Sequence, residues 1–276
     1  MLLCRLYFKG IALLVNGLCE AIKEIMEGSI KDRQIIKLDE TSSTNTEMKL
    51  LLKKKLLPEG SAVLADFQIR GRGQAGNSWY SGRGKNLLVS FLLYPHNVKA
   101  RDQFIISRIV SLAIKRVLDK YLRHVTIKWP NDIYWNNKKI AGILIENSLS
   151  GQHIDYTIIG IGLNVNESEF PKQLPNPVSI KQIIGAELDR DLLFTDLSNE
   201  LFKLYHSLRR GEGPLIEQEY MKHLYRSEGK HWFTDKDGQF KAVIKTVLPS
   251  GHLALTTFPE KEERVYAFKE VAFNVE

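Results

Sequence analysis

Gly71-Arg72-Gly73-Gln74-Ala75-Gly76 and, further along, Lys128-Trp129-Pro130-Asn131-Asp132 decide how this chain is read. Glycine lacks the Cβ that keeps a backbone away from a ligand, and Arg72 sets a permanent charge inside the flexible stretch. The Gly71-x-Gly73-x-x-Gly76 spacing matches the dinucleotide-binding fingerprint. That fingerprint demands a strand before it, a helix opening on it and an acid about twenty positions on. A strand pattern, Ser61 to Ile69, does precede the loop. Beyond it, Asn77-Ser78-Trp79-Tyr80-Ser81-Gly82-Arg83-Gly84 is too rich in turn formers to open a helix, and His96 stands where the acid should be. A G-x-x-x-x-G-K-[ST] phosphate loop fails as well, since Asn86 follows Gly84-Lys85 and no glycine stands at the required place before them.

A plain surface loop would explain the glycines. It would not explain why Arg70, Arg72, Arg83 and Lys85 gather beside Trp79 and Tyr80. Cations among aromatic rings suit a mobile lid that orders over an anionic ligand. Lys128 ends a strand pattern and is therefore held on rigid scaffold, a point charge able to hold a carboxylate or phosphate. Alone, the pentapeptide around it reads as a hairpin turn.

The 276 residues, 43% hydrophobic and 26% charged, suffice for one large domain or a catalytic domain with a small appendage. Cys4 and Cys19 make no metal-ligand spacing and suggest a reducing compartment, and the seven histidines are scattered, so a zinc enzyme is not expected. The net charge of +7 suits nucleic acid, an acidic partner or anionic substrates, but the lysine runs are short enough to be a solvated surface. The apolar patch Ile11 to Leu18 is too short to span a membrane and no small-x-small cleavage site follows it; translation starting at Met26 is an alternative.

Strands are expected at 35–38, 61–69, 86–94, 125–129, 133–136, 139–147 and 154–165, with a turn at Asn136-Asn137. Helices are expected from Thr44, with Glu47 as a capping box, to about Leu57, and at 101–122, 179–185, 190–210 and 213–225. The tail, 230–276, shows about five short strand patterns, reads as a small separate barrel, and contains no residue that stands out. The expected organisation is an N-terminal extension (1–34), a catalytic domain (35–226) and a C-terminal domain (227–276).

Six blocks occur in order: Ser43-Thr44-Asn45; Gln68 with the Gly71–Gly76 loop; Trp79; Lys128–Asp132; Lys139-Ile140-Ala141-Gly142-Ile143-Leu144-Ile145-Glu146; and Gly160-Ile161-Gly162-Leu163-Asn164-Val165-Asn166. Together they resemble the biotin protein ligases, also called biotin–[acetyl-CoA-carboxylase] ligases, over about residues 35–276. The resemblance implies an α+β fold: a central mixed/antiparallel sheet flanked by helices, class II synthetase-like, with a small C-terminal SH3-like β-barrel. It also implies a two-step ligase. Biotin's carboxylate attacks the α-phosphate of ATP, with Mg²⁺ shielding the phosphates, and a lysine of the biotin carboxyl carrier protein then attacks the mixed anhydride.

Carried over by position, Ser43, Thr44, Asn45 and Gln68 would hydrogen-bond biotin's ureido ring, while Arg72 and Lys128 clamp carboxylate and phosphate as the catalytic pair. Gly73, Gln74 and Gly142 would complete the biotin site, Gly142 by allowing close approach to the backbone. Gly71, Arg72, Trp79, Asn131 and Asn164 would serve the nucleotide, with the alternative that Asn164 only satisfies a strand end. Asp132 is the nearest candidate for a base in the transfer step. No tightly bound metal is expected. The sequence departs from the family at Gln74, where arginine is common, and the loop loses charge there. Some relatives carry an N-terminal DNA-binding domain; residues 1–34 are too few for one, so the resemblance is to an enzyme-only type, cytoplasmic, with no DNA or membrane partner, and with sheet edges open to a homodimer or the carrier. Two other readings remain: a lipoate or octanoyl ligase, which the polar Ser43–Asn45/Gln68 set disfavours, and a non-enzymatic biotin sensor.

Overall fold

In the computed structural model, which describes residues 33–274, β1 (Ile35–Thr41) and β2 (Ala62–Gln68) run parallel and are joined across one sheet face by α1 (Thr44–Lys54). The N-terminal apolar patch, the alternative start at Met26 and nearly all of the expected extension lie outside the described residues. The chain continues through β3 (Leu87–Leu93), α2 (Phe104–Leu118), β4 (Val125–Lys128), β5 (Asp132–Trp135), β6 (Lys138–Ser150) and β7 (His153–Leu163). These strands complete a seven-stranded sheet in the order β1-β2-β3-β7-β6-β5-β4, antiparallel at every pairing but the first. Short α3 (Ile180–Ile184), long α4 (Arg190–Arg209) and α5 (Gly213–Lys222) follow.

Strand alternation sends the two faces of the sheet to different fates. Leu87, Val89, Phe91 and Leu93 of β3 join Ile159, Ile161 and Leu163 of β7 in the main core with α2 and α4. There Phe91 stacks on Phe194 at 5.7 Å and meets Phe202 edge-on at 6.4 Å. On the opposite face, Leu92 and Ile158 pack under α1 with Met48, Leu57 and Val63. α1 covers only that part. Beyond it the same face carries Ser90 opposite Gly160, and Gly162 opposite Gly142. Apolar bulk stops there, and a cleft begins.

The tail forms a five-stranded antiparallel sheet, order β11-β10-β9-β8-β12, from β8 (His231–Asp235), β9 (Gly238–Val247), β10 (Leu253–Phe258), β11 (Glu263–Tyr266) and β12 (Ala272–Phe273). It is less separate than the sequence suggests. Its buried Phe233, Ala242, Val247, Leu253 and Leu255 belong to the same apolar cluster as α2. The Trp129 Nε1–H donates to the Gly251 carbonyl at 2.8 Å, tying the β4–β5 turn to the tail. The segment after α5 also pairs with β4: Ile127 N–H donates to His223 O and Tyr225 N–H to Ile127 O.

Two helix expectations are corrected. α2 spans 104–118 because residues 100–102 form a separate 3₁₀ turn before it and the chain leaves the helix at Asp119. α1 stops at Lys54, and its Thr44/Glu47 capping box does not form. Ser43 is the N-cap residue without a side-chain cap bond, and the Thr44 amide donates instead to Gln68 Oε1 at 2.8 Å. A first-turn amide has no intrahelical partner, so an acceptor from the adjoining strand serves as well as a local one.

Phe91→Ala is expected to lower stability by about 3–5 kcal/mol, because a fully buried ring leaves a cavity between two others. Urea unfolding followed by tryptophan emission measures it, and the shared core predicts one transition for both sheets.

Candidate active site

Three glycines set the depth of the cleft. A Cβ on Gly162 would lie 2.3 Å from Trp79 Cε2, one on Gly142 2.7 Å from Trp79 Cζ3, and one on Gly160 2.4 Å from Asn45 Oδ1. The Trp79 indole therefore lies directly on the β6–β7 backbone, where no other residue type would admit it. The cleft above this floor encloses about 440 Å³. Its walls are the start of α1, the lid from Arg72 to Trp79, the Lys128–Asp132 turn, and the tail residues Phe268 to Phe273.

The wall at α1 is neutral, and Thr44, Asn45 and Gln68 are hydrogen-bonded within it. Gln68 Oε1 accepts from the Thr44 amide at 2.8 Å and from the Thr44 hydroxyl at 3.1 Å. Ser90 Oγ lies 2.7 Å from Thr44 Oγ1 and 2.6 Å from Asn45 Oδ1, while Asn45 Nδ2 donates to the Leu144 carbonyl and to Glu146. Ser43, Thr44 and Asn45 are all buried. Thr44 and Asn45, locked in this way, offer fixed donors and acceptors without charge, suited to a rigid neutral polar group.

Charge enters from the other walls. Lys128 Nζ donates to the Tyr134 hydroxyl at 3.0 Å and lies 4.8 Å from the Tyr134 ring centroid and 5.6 Å from that of Phe273 in the tail. Lys139 pairs with Asp132 at 2.7 Å and sits over Trp79 at 5.5 Å, so the carboxylate considered as a base is held in an ion pair. Arg72 pairs with Glu146 at 2.9 Å. Glu146 also accepts from Lys49 at 2.7 Å and from Asn45 at 2.8 Å. Burial pushes this carboxyl's pKa up, but the hydrogen bonds from Lys49, Asn45 and Arg72 outweigh it and hold the group below the usual glutamate value.

The lid glycines serve the lid itself. Trp79 N–H donates to Gly71 O and Gly73 N–H to Asn77 O, and a Cβ on Gly71 would lie 2.3 Å from the Trp79 carbonyl oxygen. Within the lid, Gln74 Oε1 and Trp79 Nε1 are buried without a hydrogen-bond partner among the described residues, and both residues line the cleft. Ser43, Thr44, Asn45, Gln68, Arg72, Gly73, Gln74, Trp79, Lys128, Asn131 and Gly142 all come together there.

Gly71 and Asn164 are not among the lining residues. The Asn164 amide donates to the Val178 carbonyl at 3.1 Å, closing a strand end. Asn131 lines the cleft but spends its amide on the Ile143 carbonyl at 2.7 Å. Of the four cations around the loop, only Arg72 lines the cleft; Arg83 pairs with Glu40 and lies over Phe67. Sequence reading assigned no role to Ser90, Glu146, Lys49 or Phe273. Ser90 had a signal, a lone polar residue in the apolar run of β3. Phe273 had none, since only the folded tail brings it to Lys128.

Residues 38–164 match the sequence model of the Biotin/lipoate A/B protein ligase family. Similar proteins include the biotin–[acetyl-CoA-carboxylase] ligase of Paracoccus denitrificans, 37% identical over 163 residues, which cover 55% of this chain and 65% of that protein. The bifunctional ligase/repressor BirA of Bacillus subtilis is 35% identical over 137 residues, 48% of this chain and 42% of that protein. The chain thus spans about half the length of the curated relatives it matches. In structure it is similar to a biotin protein ligase from Aquifex aeolicus in complex with biotin and ATP, with TM-score 0.73 and 24% identity, covering 88% of this chain and 99% of that one. The architecture is that of a biotin/lipoate ligase catalytic fold, and the C-terminal antiparallel sheet is consistent with an SH3-like domain. Residues 38–164 accordingly carry the sequence pattern described by that family's model.

Because folding lowers the Glu146 pKa, the folded state binds this proton less readily than the unfolded chain. Its contribution to stability is complete above the ordinary value of 4.5 and is lost as the pH falls through the lowered one. Urea midpoints of the parent and Glu146→Gln should differ at neutral pH and converge on acidification.

Proposed function

We propose that this protein is an ATP-dependent biotin ligase acting on the biotin carboxyl carrier protein of a carboxylase. The observation that carries the proposal is the division of labour within one cleft: a neutral, internally hydrogen-bonded wall at Thr44, Asn45 and Gln68 shares it with the cations Arg72 and Lys128 above a glycine floor. Biotin has the matching polarity, a rigid uncharged ureido ring at one end and a carboxylate at the other. Relatives bearing the name biotin ligase, and a similar fold seen with biotin and ATP, support the same reading.

In the first step a carboxylate oxygen attacks the α-phosphorus and pyrophosphate leaves, giving biotinyl-5′-AMP. Lys128 and Arg72 offset the negative charge that accumulates as carboxylate and phosphate meet. In the second step a carrier lysine attacks the acyl carbon, the amine loses a proton, the amide forms and AMP leaves. Trp79 and the lid shield the anhydride from water.

Among the described residues no group of three or more His, Cys, Asp or Glu could hold a metal, and the carboxylates of Asp132 and Glu146 are engaged by lysine or arginine. Magnesium in this reading enters on the triphosphate. No helix of the described residues is long and apolar enough to cross a membrane. A cytoplasmic location and independence from DNA belong to the same proposal.

Lys128→Ala and Arg72→Ala are each expected to slow adenylate formation by about 10²–10³-fold, the scale of one lost charge-stabilising donor. Incubation with biotin, Mg-ATP and a carrier domain should add one biotin mass to a single lysine; no mass gain with the parent protein overturns the assignment. A thermal shift with lipoate equal to that with biotin would favour a lipoate ligase.

A further inference from the structure

The Glu146 carboxylate ties together three pieces of structure that the proposed reaction uses separately. Its Oε2 accepts from Asn45 Nδ2 at 2.8 Å, which fixes one amide of the neutral wall. Its Oε1 accepts from the lid's Arg72 Nη2 at 2.9 Å and from α1's Lys49 Nζ at 2.7 Å. The side chain is only 18% exposed, against 44% for Arg72 and 40% for Lys49. One mostly buried carboxylate therefore holds two outer cations, and one of the two is the lid cation that lines the cleft.

We infer that Glu146 is a positioning residue that holds Arg72 until an anionic ligand draws it away, with Lys49 as the standing counter-ion that remains. The inference rests on the biotin ligase reading for the identity of that ligand; the latch itself rests on geometry alone. A single carboxylate–arginine pair would make release unfavourable, because an unpaired charge would stay behind in a mostly buried place. With Lys49 in contact, Glu146 remains compensated after Arg72 turns to a carboxylate or phosphate. Asn45 also remains bonded, so the neutral wall is unchanged while the lid responds. Lys49 and Arg72 thus compete for one anion, and the strength of the latch is set by how much of that anion Lys49 takes.

This competition predicts opposite effects from two substitutions, one removing both ion pairs and the other only that of Lys49. Glu146→Gln keeps an acceptor for Asn45 and frees Arg72. Lys49→Met keeps the aliphatic stem and leaves Glu146 to Arg72 alone. Limited trypsin digestion of the ligand-free protein, read by mass spectrometry at the Arg72–Gly73 bond, should run about three- to five-fold faster in Glu146→Gln, the scale of a partly exposed ion pair, and slower than the parent in Lys49→Met. A purely structural role moves both variants in the same direction; that result, or unchanged cleavage in Glu146→Gln, overturns the inference. In pyrophosphate release with biotin, the KM for Mg-ATP should fall in Glu146→Gln and rise in Lys49→Met. If no variant, the parent included, releases pyrophosphate, the ligase reading fails while the cleavage pattern still decides the latch.

Discussion

The absence of side chains at three glycines on one face of β6 and β7 is the constraint on which the rest depends. Gly142, Gly160 and Gly162 bring backbone to the surface in strands whose core-facing positions include Ile143, Ile159, Ile161 and Leu163. Every neighbouring feature uses the space so opened. Trp79 can lie flat because Gly142 and Gly162 admit it, and Asn45 can reach across the sheet because Gly160 does. Glycine in a strand weakens it, and here the weakness is offset on the other face, where Ile159, Ile161 and Leu163 of the same strand are sealed into the core. One strand thus provides rigidity on one side and room on the other.

The polar groups around this floor divide by charge as well as position. Asn45, Thr44, Ser90 and Gln68 form one connected set in which the buried side chains orient one another, and a connected set holds geometry that isolated side chains would lose. The cations lie outside it and each has a partner: Arg72 on Glu146, Lys139 on Asp132, Lys128 on the Tyr134 hydroxyl. Each of these three cations can be turned toward an anion by exchanging its partner. The tail takes part, since Phe273 closes the aromatic surround of Lys128 and Trp129 anchors the turn that carries it.

Much of the fold and of the site was legible because local physics sets both. Alternating and continuous apolar runs located the strands of both sheets, and the lack of a helix after Gly76 excluded the dinucleotide fold without reference to any contact. Thr44, Asn45, Gln68, Arg72, Lys128 and Gly142 were singled out in the sequence by the blocks they belong to, and the fold brings all six to one cleft. Less legible were the groups that act through others. Glu146 looked like the end of a strand motif, and its meaning depends on Lys49 and Arg72, which are distant in sequence. The capping box at Thr44 was misread because a glutamine from the next strand took the amide first.

By itself, then, the sequence determined the secondary elements, the glycine positions and the inventory of chemical groups, because propensity, periodicity and side-chain type are local properties. Tertiary structure alone decided which groups meet. It laid Trp79 on the sheet, joined the tail to the main core and brought Phe273 to Lys128. It also committed the Asn164 amide to a strand end and Arg72 to Glu146. Pairings of this kind follow from the register of antiparallel strands and from competition among partners far apart in the chain, and neither is encoded in any short stretch of it.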